Sequence, residues 1–403
     1  IQAIGRGISL ISSFILVSFL TRYLGLQGYG EYITIFAYVG FFAIMAEFGL
    51  DQVLVKELAL VKTKPQISRL FSEVLSLRLS LVFASIILAV LICLIFPYSS
   101  TVRWGILVAS FTSLFLYSAT TLMSYFQVKL NFVYPVLADT IGKLATLIIS
   151  LILIFIVRSS LLILIGASIF GSATALLTIW LLFAKENINI SFILAPSRWK
   201  RIFYLALPLF LISFLNQVFF RIDMPLLSLI SGVKAVGIYG LAFRIYEYAA
   251  MPASFFTAAI FPVLATQIKN RLVFQRTFKK SLILLTIFGL AFTLVINLLG
   301  PFLISLLGGS EFVKSLAPLR ILSLSLVFLY LSGLFMITLI ILEKQKQLFY
   351  IYAAASILNI VLNLLFIPKF SYLATSYTSM ITQLVIFSCV GILTLKNFIN
   401  SWR

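Results

Sequence analysis

Long apolar runs constrain this chain more than any other feature of its sequence. Residues 161–184, for example, hold no charged side chain at all. About 20 consecutive apolar residues are what an α-helix needs to cross the hydrocarbon core of a bilayer. Of the 403 residues, 62% are hydrophobic and 10% charged, where soluble domains are about half apolar and a quarter charged. A soluble globular fold is therefore excluded. The runs are continuous instead of alternating with a period of two, so helices are expected and a transmembrane β-barrel is not.

Apolar stretches bounded by charge and turn residues predict twelve helices, at 1–23, 32–55, 74–96, 104–126, 133–157, 161–184, 203–230, 236–264, 281–307, 312–342, 348–367 and 372–395. Lys and Arg are retained on the cytoplasmic side of such helices, so loop charges give the orientation. One set of loops carries 18 of them: Lys56, Lys62, Lys64, Arg69, Lys129, Lys185, Arg198, Lys200, Arg201, Lys269, Arg271, Arg276, Lys279, Lys280, Lys344, Lys346, Lys396 and Arg403. The opposite set carries only 6: Arg22, Arg103, Arg158, Lys234, Lys314 and Lys369. Both termini are accordingly expected in the cytoplasm, as an even helix count requires. The net charge of +19 is spread through these loops. No block reads as a nucleic-acid arm, and no nucleic-acid partner is expected.

Several kinds of chemistry are excluded. The chain has no histidine, so imidazole bases, Ser-His-Asp triads and His-ligated metals cannot be built from it. Cys93 and Cys389 both lie in apolar runs, which suggests neither a disulfide framework nor a thiolate metal site. No loop is long enough to fold as a catalytic domain. Neither enzymatic activity nor a resident cofactor or metal is expected. The sequence opens on Ile1 without a secretory signal, and a few further native residues are expected before it.

An internal repeat divides the chain. Gly25-x4-Gly30-x-Tyr32 recurs as Gly232-x4-Gly237-x-Tyr239, offset by 207 residues. Each copy enters the second helix of a six-helix half. Two halves of like orientation form a parallel repeat, an arrangement associated with alternating access. The expected organisation is an N-terminal lobe at 1–184, a cytoplasmic linker at 185–202 and a C-terminal lobe at 203–403.

An ionised side chain within the bilayer costs about 3 kcal/mol on insertion scales, so each one in a span is a functional candidate. The basic ones are Arg6, Arg78, Lys143, Arg221, Arg244 and Arg320; the acidic ones are Glu47, Asp51, Asp139, Asp223 and Glu247. The first lobe's group lies toward the cytoplasmic side or mid-membrane, and the second lobe's toward the outside. Asp139 with Lys143, at i,i+4, and Arg244 with Glu247, at i,i+3, can each neutralise on one helix face. Asp223 is expected to pair with Arg244 on the next helix. Glu47 and Asp51 are like charges at i,i+4: they either snorkel toward Lys56 or take part in proton or Na⁺ coupling. Arg78 can snorkel too, but Arg6 and Arg320 lie deeper. A buried guanidinium without a carboxylate suits an anion, above all phosphate, which it grips bidentately. The sequence points to a cationic lumen. Pro135, Pro208, Pro225, Pro252 and Pro262 supply bends.

The segment TRYLGLQGYGEYITIFAYVGFFAIMAEFGLDQVLVKELA (21–59), with its R-x-L-G turn, G-x-Y helix start and acidic-x-G-L exit, resembles the start of Wzx-type O-antigen and polysaccharide flippases. These belong to the multidrug/oligosaccharidyl-lipid/polysaccharide (MOP) exporter superfamily. RIDMPLLSLISGVKAVGIYGLAFRI (221–245) and NIVLNLLFIPKF (359–370) resemble later passages of the same family. The resemblance implies an all-α integral membrane protein of about twelve transmembrane helices in two six-helix lobes, MATE-like. It would move an undecaprenyl-diphosphate-linked oligosaccharide across the bacterial inner membrane, coupled to H⁺ or Na⁺. Its partners would be the lipid-linked oligosaccharide, membrane lipid, and a polysaccharide polymerase with its chain-length machinery. The diphosphate is expected to meet Arg6, Arg78 and Lys143 first and Arg221, Arg244 and Arg320 afterwards; Glu47, Asp51, Asp139, Asp223 and Glu247 are the candidates for ion coupling. Three other functions would each leave a different mark on the sequence. A drug or metabolite antiporter would favour an acidic or apolar lumen. A glycosyl polymerase or ligase would need a large outer loop. A lipid II flippase typically has extra helices.

Overall fold

The computed structural model describes residues 2–61, 63–193, 196–268 and 270–400. Lys62, Lys269 and Arg403 of the basic loops, and the side chain of Pro208, lie outside the described residues. Every regular element among the described residues is helical. They are α1 (Gln2–Glu47), α2 (Leu50–Leu60), α3 (Lys64–Ile95), α4 (Ser100–Val128), α5 (Val133–Ile152), α6 (Leu161–Ala184), α7 (Pro196–Arg221), α8 (Asp223–Ser231), α9 (Val233–Gln267), α10 (Arg271–Gly308), α11 (Leu316–Leu324), α12 (Leu326–Ile341) and α13 (Gln345–Asn400). A π-turn at Leu153–Val157 extends α5, and a 3₁₀ turn at Ser310–Ser315 leads into α11.

The twelve expected runs lie largely in helices, but not one to one, and the second is interrupted at Phe48–Gly49 between α1 and α2. Nine helical stretches among the described residues are long and apolar enough to cross a membrane. The first of them, Ile4–Leu60, has 57 residues and the last, Gln345–Asn397, has 53. Each is long enough for two crossings of about 20 residues, and each takes in two of the expected runs. Each holds one break in its helical backbone, at Gly25 (φ 64°) in α1 and at Ser371 (φ 51°) in α13. The seventh expected run is split between α7 and α8, and the tenth is broken at Ser325 between α11 and α12. Two helices start well outside their apolar runs. α3 begins at Lys64 behind the N-cap Thr63, and α10 at Arg271 behind Asn270, whose side chain accepts from the Val273 amide at 3.3 Å. The Asn270 cap sets the start of α10, and Pro65 stands in the first turn of α3, where Thr63 makes no side-chain cap; the apolar pattern records neither.

The repeat is visible in the backbone. Gly25 (φ 64°, ψ −174°) and Gly232 (φ 81°, ψ 170°) adopt the same conformation, one that is essentially closed to residues with a Cβ. The shared glycine thus marks a break in the helical backbone at the corresponding place in each copy of the repeat. Pro225 lies in the first turn of α8, where its missing N–H breaks no helical bond. Pro252 and Pro262 lie inside α9.

The chain divides into two compact units, Ile1–Gln217 and Val218–Arg403, with the border inside α7. In the first unit Phe48, Leu54, Phe71, Phe126 and Phe183 centre a large apolar core. α5 and α6 meet there through Gly142 and Gly171: a Cβ on Gly142 would stand 2.7 Å from the Gly171 carbonyl, leaving no room for any side chain. In the second unit Leu241, Leu319, Leu326, Tyr330 and Leu334 are fully buried. Large apolar side chains such as Ile156, Phe170, Leu298 and Ile392 are exposed. That is costly in water and favourable against lipid.

Candidate functional site

In the first unit, α1 and α5 are drawn together at a glycine. A Cβ on Gly5 would lie 2.5 Å from Val136, and the Thr140 hydroxyl donates to the Gly5 carbonyl at 3.2 Å. One turn on, the Ser9 hydroxyl lies 3.4 Å from Asp139 Oδ2 and 3.3 Å from the Thr140 hydroxyl. Asp139 accepts from Lys143 Nζ at 2.7 Å. Both members of that pair are nearly half exposed, at 48% and 45%, and Arg6, between Gly5 and Ser9, is exposed as well. This face of the unit therefore presents two cations and one carboxylate outward from helices that are otherwise apolar.

Arg78 is placed differently from the lumen position expected of it. Its side chain is fully buried. Nη1 donates to Asp51 Oδ1 at 2.7 Å, the Tyr117 carbonyl at 3.0 Å, Thr120 Oγ1 at 2.9 Å and Thr121 Oγ1 at 2.8 Å. A guanidinium can be carried into a protein interior only against a carboxylate and a set of acceptors, and here α2 and α4 supply both. Arg78 therefore does not snorkel, and its Nε and Nη2 are buried without a hydrogen-bond partner. Asp51, for its part, is held by Arg78 and not drawn toward Lys56. Glu47 ends α1; Phe48 (φ 41°) and Gly49 (φ 67°), both left-handed, then turn the chain into α2.

In the second unit Arg244 and Glu247 form their ion pair at 3.0 Å within α9, both partly exposed. Arg221 is half-buried at the C-terminal end of α7, and Arg320 is exposed on α11. Neither of these last two side chains has a hydrogen-bond or ion-pair partner among the described residues.

Asp223 does not pair with Arg244. It is 2% exposed and belongs to a pocket of neutral polar groups. Oδ1 accepts from Asn363 Nδ2 at 2.7 Å; Oδ2 accepts from Ser379 Oγ at 2.6 Å and from the Tyr239 hydroxyl at 3.2 Å. Asn363 also donates to Asn359 Oδ1 at 3.0 Å. Asn363 Oδ1 and Thr375 Oγ1 are buried without a partner. No cationic side chain answers the Asp223 charge among the described residues, and an unpaired carboxylate in such surroundings is costly. A proton or a small hard cation would relieve it, and the donor set is entirely oxygen, as such a cation requires. Asn359, Asn363, Thr375 and Ser379 were not singled out in the sequence. The signal was there in Asn359 and Asn363, two amides at i,i+4 inside an apolar run.

These features define the class: a multi-pass, all-helical membrane protein of two units, carrying charged and polar groups within its spanning helices. The fold is that of the MOP superfamily. A lipid II flippase MurJ in an inward closed conformation superposes with TM-score 0.80 at 16% identity, over 99% of this chain and 89% of that one. An inward-facing multidrug resistance MATE family transporter of the MOP superfamily superposes with TM-score 0.73 at 14% identity, over 98% and 95%. The model of the polysaccharide biosynthesis protein family matches residues 1–268, so the chain belongs to that family. The MatE model matches residues 208–365. A capsular polysaccharide biosynthesis protein CapF from Staphylococcus aureus is 28% identical over 248 residues, 59% of this chain and 62% of that relative, so the match spans less than two thirds of its length.

Proposed function

We propose that this protein is a flippase. It carries an oligosaccharide linked to undecaprenyl diphosphate, a repeat unit of O-antigen or another surface polysaccharide, across the bacterial cytoplasmic membrane by alternating access. Both termini lie in the cytoplasm, and the polysaccharide polymerase with its chain-length machinery receives the product. The 1–184 and 203–403 segments act as the two lobes.

The observation that carries this reading is Lys143. It is the eleventh residue of the 25-residue span Val133–Val157 and is nearly half exposed with its partner Asp139. A charge at that depth is tolerated only where it faces a wet cavity or another polar surface. With Arg6 nearby on α1, and with Arg221, Arg244 and Arg320 in the second unit, it makes a set of cations suited to a diphosphate. Membership of a polysaccharide biosynthesis family points to the same cargo. The Asp223 pocket is the candidate for the coupling cation, H⁺ or Na⁺. Asp223, Asn363 and Ser379 would hold it; Glu47, Asp51, Asp139 and Glu247 are secondary candidates.

Cells carrying Lys143→Ala or Arg320→Ala should make the protein at normal levels, lose surface polysaccharide and accumulate the lipid-linked intermediate. Full polysaccharide synthesis by both variants would reject the reading. A MATE-like antiporter is the second reading, favoured by the MatE match over 208–365. It predicts that overexpression raises resistance to organic cations, whereas the flippase reading predicts no change.

A further inference from the structure

The connection from α6 to α7 is not a loose loop. After a turn at Glu186–Asn187, where Asn187 has φ 54°, residues 188–193 run along α3 in register with a ladder of serines. The Ser68 hydroxyl donates to the Asn189 carbonyl; Ser72 Oγ accepts from the Ser191 amide at 3.0 Å and Ser76 Oγ from the Ile193 amide at 2.9 Å. Four helical residues rise about 6.0 Å and two extended residues about 6.6 Å, so each helical turn meets every second residue of the connection. Of the residues that alternate with those bonds, Ile188 and Ile190 pack onto the apolar core and Phe192 is exposed.

Both ends are fastened. At the start, Glu186 Oε2 accepts from Lys129 Nζ at 2.6 Å and from the Tyr125 hydroxyl at 2.8 Å, and its carbonyl accepts from Lys64 Nζ at 3.0 Å. At the finish, Arg198 and Arg69 both donate to Glu73, and Arg201 reaches Glu57 at 3.0 Å. Beyond it, α7 continues on the same core: Phe203 and Phe210 stack on Phe48 at 4.4 and 4.3 Å between ring centroids.

We infer that residues 186–193, together with α7 as far as Phe210, are a permanent clamp of the first unit, one that stays closed through the working cycle. Flexing between the units is thereby displaced from the connecting loop into α7 beyond Phe210, where the border between the units falls. The clamp rests on the transport reading only for the second of its two tests.

The first test is hydrogen exchange on the full-length protein in lipid nanodiscs. The Ser191 and Ile193 amides should be protected to the level of helix interiors. The triple variant S68A/S72A/S76A should exchange about tenfold faster at those positions, with α3 itself unaffected. Exchange in the wild-type protein as fast as in a solvated loop would overturn the clamp whatever the protein transports. The second test is a disulfide between Ser72→Cys and Ser191→Cys in a Cys93→Ser, Cys389→Ser background. Oxidation should leave polysaccharide export unchanged. Loss of export on oxidation that a reductant restores would show instead that this segment must detach.

Discussion

Arg78→Ala separates a structural cation from a ligand-binding one. The substitution removes the Nη1 group, whose two hydrogens are shared among four acceptors at 2.7–3.0 Å, and leaves Asp51, itself only 26% exposed, without its cation. Breaking a buried pair from one side costs 3–5 kcal/mol. Partial exposure of Asp51 lets water relieve some of that, so about 3 kcal/mol is expected. For a unit of 217 residues, at 2–4 °C per kcal/mol, the melting temperature should fall by about 6–12 °C. Thermal melting of detergent-solubilised protein, followed by size-exclusion chromatography of the surviving fraction, measures this directly. Lys143→Ala is the contrast: its exposed i,i+4 pair is worth less than about 0.5 kcal/mol, so melting should shift by no more than about 2 °C while transport is lost. The paired change Arg78→Met with Asp51→Leu should recover most of the lost stability. An Arg78→Ala protein that melts within about 1 °C of wild type yet fails to transport would refute this reasoning and return Arg78 to the ligand set.

Other expectations follow from the packing and from Glu186. Gly171→Ala should cost about 1–3 kcal/mol, because its Cβ would fall on Thr146 and on the Gly142 carbonyl, whereas Gly166→Ala, with open space around it, should be neutral or slightly stabilising in the same melts. The hydrogen bond from Lys129 holds the Glu186 carboxyl below the usual carboxylate range. Its contribution is therefore present above the ordinary carboxylate pKa and lost as pH falls through the depressed one, so acid should loosen the 186–193 segment in wild type and do so less in Lys129→Ala, read by proteolysis across pH. Asp223→Asn should keep the fold and abolish the dependence of transport on an imposed Na⁺ or proton gradient. Gradient dependence that persists unchanged in that variant would exclude the pocket from coupling.

Much of the fold was legible because membrane helices carry their signature locally. Twenty apolar residues announce a crossing wherever they occur, and the Gly25 and Gly232 repeat showed because only glycine fits that backbone turn. The pairs Asp139–Lys143 and Arg244–Glu247 were legible for the same reason: helical spacing alone brings them together. What depended on separate helices meeting was not legible. Arg78 and Asp51 are 27 residues apart, and nothing local shows that α3 turns this guanidinium toward α2 and α4 and away from a passage. Asp223 looked like a partner for Arg244 because charge was the only guide. Its neighbours are neutral amides and hydroxyls, which carry no charge signal, contributed in part by α13 some 140 residues away. The serines at 68, 72 and 76 stand four apart in plain view, but a serine face on a membrane helix has many uses, and only the connecting segment beside it gives the spacing a meaning.

The account depends most on what crosses the membrane. Purified protein reconstituted in liposomes with a fluorescent oligosaccharide on undecaprenyl diphosphate offers the direct measurement, reading its exposure in the opposite leaflet with and without a cation gradient. Gradient-stimulated translocation by wild type, lost in Lys143→Ala and Arg320→Ala, is the predicted result. Equal translocation in protein-free liposomes, or full activity in both variants, would contradict it.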